Sequence, residues 1–229
     1  MMRTNLNYTS YILLFILLLA IPLLPVGFIT SHVFNLVLTY KMLIPFVFAA
    51  LLLLYILVFL LEATLFFRLF KKGVKEGVFD LDRVSSPVVS WGLSYMLFRM
   101  CGRFFDLIMI PHEISRLVCL KLAGADVGRN CVIAGDTPDP LLISIGDDCV
   151  IGGNSIVLCH SIEGNKLILK KTVLGKNVTV GGGSIVSAGA VLEDDAILGA
   201  LSFVKKNQRL EKGKVYVGAP AKEIKREGT

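Results

Sequence analysis

Residues 174–204 read LGKNVTVGGGSIVSAGAVLEDDAILGALSFV, and this stretch decides the fold. Cut into sixes, it starts each repeat on an aliphatic residue: Leu174, Val180, Val186, Leu192, Leu198 and Val204. The same phase runs upstream through Ile145, Ile151 and Val157, and an insertion separates the two runs. Glycine follows directly at Gly146, Gly152, Gly175, Gly181 and Gly199. Four residues after each start the side chain is compact, as at Cys149, Ser155, Ser161, Val178, Ser184, Ala190, Ala196 and Ser202. The next residue is mostly apolar again, as at Val150, Ile156, Ile162, Ile185, Val191, Ile197 and Phe203. Val127-Gly128, followed by Cys131 and Val132, opens the series. A period of six is neither the 3.6 of a helix nor the alternation of a plain strand. Short strands joined by tight turns account for it. Three flat faces per coil point the aliphatic residue inward and set small residues at crowded corners. Stacked coils then share a core that no single repeat can bury.

The other half of the chain has a different composition. Of 229 residues 54% are apolar, and the mean hydropathy is +0.70, too high for an ordinary soluble domain. The excess sits in two runs, Tyr11 to Ile29 and Met42 to Phe67. Each is long enough to cross a bilayer as a helix, because about 20 apolar residues span the hydrocarbon. Pro22 and Pro25 are expected to kink the first. A secretory signal peptide is the competing reading of that run. It would need a stronger basic start than Arg3 and a small-residue cleavage site, which Pro25-Val26-Gly27 does not supply.

The connecting loop, Ser31 to Lys41, carries one Lys and no Arg, whereas Arg68, Lys71, Lys72 and Lys75 follow the second run. The positive-inside rule then puts both termini and the soluble part on the cytoplasmic face of the plasma membrane. The expected organisation is a two-helix transmembrane anchor over 1–72, an amphipathic helical linker over 73–125, and a solenoid over 126–229 ending in a basic tail. Contact with membrane lipids follows from this organisation.

Residues Ser86 to Ala123 mix Trp91, Tyr95, Phe98, Phe104 and Phe105 with Arg99, Arg103 and Asp106. This mixture suits a helix at a membrane interface or a helical layer packed on the solenoid, and both readings stay open. Pro111 suits the first turn of a second helix that Gly124 would stop. The net charge of +6 forms no stripe with interleaved aromatics, so no nucleic-acid partner is expected. The five cysteines show no CxxC spacing, which argues against a disulfide framework or a zinc site.

The repeats resemble those of the hexapeptide-repeat acyltransferase superfamily, whose fold is a left-handed parallel β-helix. The resemblance extends to Leu198–Lys206, similar to the family's last coil, and to Val215-Tyr216-Val217-Gly218-Ala219-Pro220-Ala221-Lys222, similar to its glycine-x-proline-alanine ending. A narrower resemblance takes in more of the chain. The apolar spans, the Trp-bearing segment, Leu122–Gly128 and Asp136-Thr137-Pro138-Asp139-Pro140 look like the membrane-linked C-terminal domains of poly-amino-acid and peptide synthetases.

The resemblance implies an acyltransferase that carries no bound cofactor and uses acetyl-CoA or another acyl thioester as co-substrate. It also implies a homotrimer with active sites in the grooves between subunits. Alternatives are amide ligation of aminoacyl groups from an acyl-carrier thioester, and a non-catalytic membrane scaffold.

His160 is the candidate catalytic base. It stands where the six-residue phase breaks, and in the family a histidine before such an insertion removes a proton from the acceptor. A surface histidine on a loop edge is the bland reading. Glu163 is the candidate to orient His160 or to bind an amine, against a solvated loop acid. Cys159 adjoins His160, but neighbours on a strand face opposite ways, so a Cys–His nucleophilic pair is not expected.

Asn154 matches an acceptor-contacting position, or is a corner residue tolerating a left-handed turn. Asp136 and Asp139 sit in a loop that either enters the acceptor pocket or forms an Asx-Pro turn. For the acyl donor the resemblance points to Gly182, Ala200, Lys205 and Lys222, although Lys205, Lys206, Lys222, Lys225 and Arg226 also read as a solvated tail. The zinc-dependent carbonic anhydrases of this fold need three histidines on the solenoid. Only His160 is available there, since His32 and His112 lie upstream, so no metal is expected.

Overall fold

A computed structural model describes residues 13, 16–17, 19–107 and 109–224. Contacts divide the chain into a helical unit within Leu6–Phe66 and a second unit from Phe67 onward. In the helical unit, α1 (Leu23–Thr39) resumes after a turn at Ile21–Pro22 and carries Pro25 in its first turn, where a missing N–H costs nothing. Most of the first apolar run lies outside the described residues. The connecting loop expected at Ser31–Lys41 is instead helical through Thr39, and a 3-10 turn at Lys41–Leu43 makes the reversal.

Helix α2 (Ile44–Lys71) has 28 residues, about 42 Å at ~1.5 Å per residue, enough to cross a bilayer core. Within the described residues, Lys41–Lys71 is the one segment long and apolar enough to span. Phe46, Phe48, Leu53 and Leu57 on it are exposed.

The second unit begins with a strand that the sequence reading placed inside a helical linker, β1 (Gly77–Asp80). Four residues carry no usable periodicity, and only pairing with a distant hairpin makes this segment a strand. Helix α3 (Ser86–Leu107) and helix α4 (His112–Ala123) follow. Gly124 ends α4 by taking φ 79°, a left-handed conformation open to glycine at no steric cost. Most of α3 is buried or half-buried, with Val88, Leu97, Phe98, Cys101 and Phe105 in the core. Of the two readings left open for this region, the helical layer packed on the solenoid is the one observed.

The solenoid is built from β2 (Asp126–Val127), β3 (Val132–Ile133), β4 (Ile143–Ile145), β5 (Val150–Ile151) and β6 (Ile156–Val157). A hairpin, β7 (His160–Glu163) and β8 (Lys166–Leu169), interrupts it. It resumes as β9 (Thr172–Leu174), β10 (Thr179–Val180), β11 (Ile185–Val186), β12 (Val191–Leu192), β13 (Ile197–Leu198) and β14 (Phe203–Val204). The chain closes with β15 (Arg209–Leu210), β16 (Val215–Val217) and β17 (Lys222–Ile224). Parallel pairing forms three faces: β2-β4-β9-β12-β15, β3-β5-β10-β13-β16, and β6-β11-β14. Only β17 adds antiparallel, against β16.

The six-residue phase places the core directly. Ile151, Val157, Val180, Val186, Leu192, Leu198 and Val204 are all completely buried. The phase also runs beyond Val204, the last repeat start read from the sequence, to Leu210 and Tyr216, both buried. Asn130, Asp148, Asn177, Asp195 and Asn207 turn corners at positive φ, which short polar side chains tolerate. They also link coils, as where Asn177 Nδ2 donates to Asp195 Oδ1 at 3.0 Å. A Cβ on Gly181 would lie 2.4 Å from the Ala200 nitrogen, so the stacking of coils itself demands glycine there.

A fully buried leucine between coils cannot be shortened without leaving a void. Leu198→Ala is expected to cost about 2–5 kcal/mol, read as a lower urea midpoint with an unchanged slope.

One part of the repeat reading is corrected. Ser161 and Ile162 do not continue the coil but lie on the hairpin, and Ile162 is exposed. The chain leaves the solenoid at His160, and Thr172 takes the compact buried corner instead, its hydroxyl donating to the Leu158 carbonyl at 2.7 Å. The hairpin is then extended by β1, which pairs antiparallel with β8. Asp80 pairs with Lys166, and the Glu76 carboxylate accepts from the Lys171 amide at 3.0 Å.

Candidate active site

Three separate pieces of chain meet at the base of the hairpin. The first is His160, the opening residue of β7, whose imidazole is 18% exposed. The second is the loop after β3, which carries Asp139 with a side chain only 1% exposed. Counted in sixes from Ile133, Asp139 occupies a position that the repeat reserves for an aliphatic residue. The third is α3, where Trp91, Tyr95 and Arg99 recur at four-residue spacing and so share one face.

Asp139 holds the site together. Its Oδ2 accepts from His160 Nδ1 at 2.6 Å and from the Cys159 amide at 2.8 Å, while Oδ1 accepts from the Trp91 indole N–H at 2.9 Å. A buried carboxylate is tolerable only when its lone pairs are engaged in this way. A carboxylate offers only acceptors, so the imidazole proton sits on Nδ1 and the Nε2 lone pair is left for chemistry. The Trp91 ring lies 4.9 Å from the imidazole centroid, and Tyr95 meets it edge-on at 5.7 Å and 89°.

On its open side His160 borders a cleft of about 630 Å³, lined also by Leu158, Ser161, Ser187, Phe203, Lys205 and Lys206. Asp136 lies outside it. Arg99 reaches one carboxylate oxygen of Asp136 at 2.6 Å and Arg116 the other at 3.2 Å, which ties the loop to α3 and α4.

Several expectations for individual residues change. Glu163 does not orient His160; it pairs with Lys206 and accepts from the Ser161 hydroxyl at 3.1 Å, and Asp139 stands against the imidazole in its place. Asp139 lies against the imidazole with both oxygens hydrogen-bonded, and Asp136 lies outside the cleft lining, paired with Arg99 and Arg116. Asn154 occupies an exposed corner at φ 57°, outside the cleft lining. Of the four donor candidates only Lys205 lines the cleft. Gly182 and Ala200 sit on a different corner, where the Gly182 carbonyl accepts from the Leu201 amide at 3.0 Å. Lys222 lies on β17 opposite Val217, and Lys225 and Arg226 fall outside the described residues.

Cys159 is completely buried on the face opposite His160, and burial, with the Asp139 charge beside it, pushes its thiol up. It is therefore no nucleophile. Among the described residues no group of three His, Cys, Asp or Glu side chains is arranged to hold a metal ion.

Trp91, Tyr95, Arg99 and Arg116 were missed as site residues. A four-residue aromatic and basic spacing on α3 was visible, but nothing in it specified which loop the helix would face. Asp139 carried a sharper signal, a carboxylate in an aliphatic phase.

The three-sided parallel β-helix, its rhythm broken at His160, is similar to the solenoids of hexapeptide-repeat proteins. The hexapeptide-repeat model of succinyl-transferase matches residues 142–163 and 171–204, and the gap between them takes in the hairpin turn and β8. Residues 142–163 and 171–204 thus carry repeats of the hexapeptide kind, and that repeat implies the left-handed form of the β-helix.

The carnitine operon protein CaiE of Escherichia coli K12 is 33% identical over 104 residues, 44% of this chain and 50% of that protein. This chain therefore spans about half the length of such curated relatives. Delta-poly-L-ornithine synthetase of Acinetobacter baumannii is 26% identical over 189 residues, 79% of this chain but 13% of that protein. The fold is shared with a maltose O-acetyltransferase from Clostridium difficile 630, at a TM-score of 0.51 and 18% identity over 67% of this chain and 94% of that one.

Proposed function

We propose that the protein is a membrane-anchored acyltransferase that moves an acyl group, most simply acetyl, from a CoA thioester to a hydroxyl or amine. The observation that carries this reading is the pair of buried Asp139 and half-buried His160 at the edge of the cleft. Asp139 holds the proton on Nδ1, and Nε2 takes the proton of the acceptor O–H or neutral N–H as it attacks the thioester carbonyl. The new ester or amide bond forms as the C–S bond breaks, and the imidazolium returns its proton to the departing thiolate. No covalent enzyme intermediate is needed. Lys205, across the cleft, suits the phosphates of the donor.

Anchoring is part of the same proposal. The exposed apolar surface of α2 and the four basic residues after Phe67 support a hairpin anchor with the catalytic unit on the cytoplasmic face of the plasma membrane. An acceptor that itself resides at the bilayer fits this placement. A homotrimer is proposed as well. Outward-facing Val132, Val150, Ile156, Ile185 and Phe203 leave apolar surface on two solenoid faces, and the cleft is open on its outer side.

A second reading draws on the length of the match to the poly-ornithine synthetase, which reaches well beyond the repeats. In it the donor is an aminoacyl group on a carrier protein, and the product is an amide. One experiment separates the two. The full chain in detergent is incubated with acetyl-CoA, or with aminoacyl-carrier thioesters, and hydroxyl and amine acceptors, and thiol release is followed together with product mass. Turnover of acetyl-CoA supports the first reading, and turnover of carrier thioesters alone supports the second. Thioesters left intact in both arms would overturn both and leave a non-catalytic scaffold.

A further inference from the structure

From the contacts around Asp139 we infer that Trp91, on a helix outside the repeats, is a positioning residue for His160. This inference rests on the acyltransferase reading of the site. Trp91 acts through Asp139: its indole N–H occupies Oδ1 and leaves Oδ2 to the imidazole and the Cys159 amide.

The acceptor count makes the argument. Asp139 is shut away from water, and the two nearby guanidinium groups, Arg99 and Arg116, are directed at Asp136 instead. Among the described residues its partners are therefore the Trp91 indole, the Cys159 amide and the imidazole. The backbone amide of Cys159 and the imidazole both approach Oδ2, so Trp91 is the donor recorded on Oδ1. Removing the indole N–H strips Oδ1 of its partner inside a dry pocket. The carboxylate is then free to rotate, and the imidazole loses its fixed direction.

The Trp91 ring also restrains the imidazole at 4.9 Å, and Tyr95 restrains it from the side. The Trp91 ring, within cation–π distance, suits the imidazolium that forms during proton transfer. The solenoid supplies base and carboxylate, but the part that fixes their angle comes from α3.

The titratable and charged groups around the imidazole are few. Asp139 lies on the loop, Tyr95 on α3 and Cys159 behind it, with Lys205 and Lys206 across the cleft, the latter paired to Glu163.

Trp91 is the single tryptophan of the chain, so a tryptophan analogue replaces this side chain and no other. Two forms of the full chain test the inference: Trp91→Phe, and wild type carrying benzothienylalanine, in which sulfur replaces the indole N–H at nearly constant shape. In both, kcat is expected to fall about 10-fold to 100-fold, the scale of losing an outer-shell orienting partner, with KM little changed. If Trp91→Phe fails to fold, the analogue still reports.

The proton resonance of His160 Nδ1, followed by NMR in detergent, gives a readout independent of turnover. It should shift and broaden in the analogue. An analogue-bearing protein with wild-type kcat and Nδ1 resonance would overturn the inference. His160→Ala separates the two levels. If that variant keeps activity, the acyltransferase reading of the site fails; if it is inactive while the analogue is normal, only the role of Trp91 fails.

Discussion

His160→Ala is expected to lower kcat by about 10²–10⁴-fold, the range for loss of a positioned general base, while the KM for the thioester changes little. The imidazole has a single free lone pair. Asp139 fixes the imidazole proton on Nδ1, so Nε2 carries the free lone pair of an imidazole that lines the cleft. Alanine removes that atom without emptying a core position, because the imidazole is partly exposed and borders open space. Folding should therefore survive, and a thermal scan of the variant checks this. Initial rates of thiol release at saturating acceptor measure the effect. A variant that retains a large fraction of wild-type kcat would rule out His160 as the base.

Asp139→Asn is the second large effect, and it reaches activity and stability together. The carboxylate receives donors on both oxygens, from Trp91 on one and from Cys159 and His160 on the other. An amide has one acceptor and one donor end. With its oxygen toward Cys159 and His160, its NH₂ faces the Trp91 N–H. Flipped, its NH₂ faces the Cys159 N–H and the Nδ1 proton. Either way a donor confronts a donor in a buried place, which costs about 1–3 kcal/mol per unsatisfied group. The imidazole also loses the charge that stabilises its protonated form during transfer. The expected result is a kcat lower by at least about 10²-fold, within the range for losing acid–base function, and a reduced urea midpoint. A wild-type rate in Asp139→Asn would mean that the hydrogen bond to His160 has no part in turnover.

The two carboxylates of the same loop show how much was readable in advance. Asp136 and Asp139 were visible as a pair in a proline-rich segment, and the sequence allowed both an acceptor role and a turn. Their fates diverge because each meets a different neighbour: two guanidinium groups for Asp136, an indole and an imidazole for Asp139. Nothing local to Asp136-Thr137-Pro138-Asp139-Pro140 specifies those neighbours, which lie some twenty to fifty residues away. Glu163 misled for the same reason. It is close to His160 in the chain, but strand geometry carries it along the hairpin to Lys206.

The repeat itself was legible because a six-residue period is enforced at every coil by the same contact, an aliphatic side chain meeting its equivalents above and below. Local spacing therefore suffices to place Ile151, Val180, Leu198 and the rest of the core, together with the rupture at His160. The apolar run of α2 was legible on similar grounds, since length and hydropathy are properties of a contiguous segment.

What the tertiary structure alone decided is everything that joins distant segments by side-chain complementarity. It makes Gly77–Asp80 a strand by pairing it with the hairpin, and it turns α3 so that Trp91 and Tyr95 enclose the imidazole. It also selects Asp139, rather than Glu163, as the partner of His160. Periodicity records only which face of an element is buried; the identity of the element it meets is fixed by packing across the whole unit.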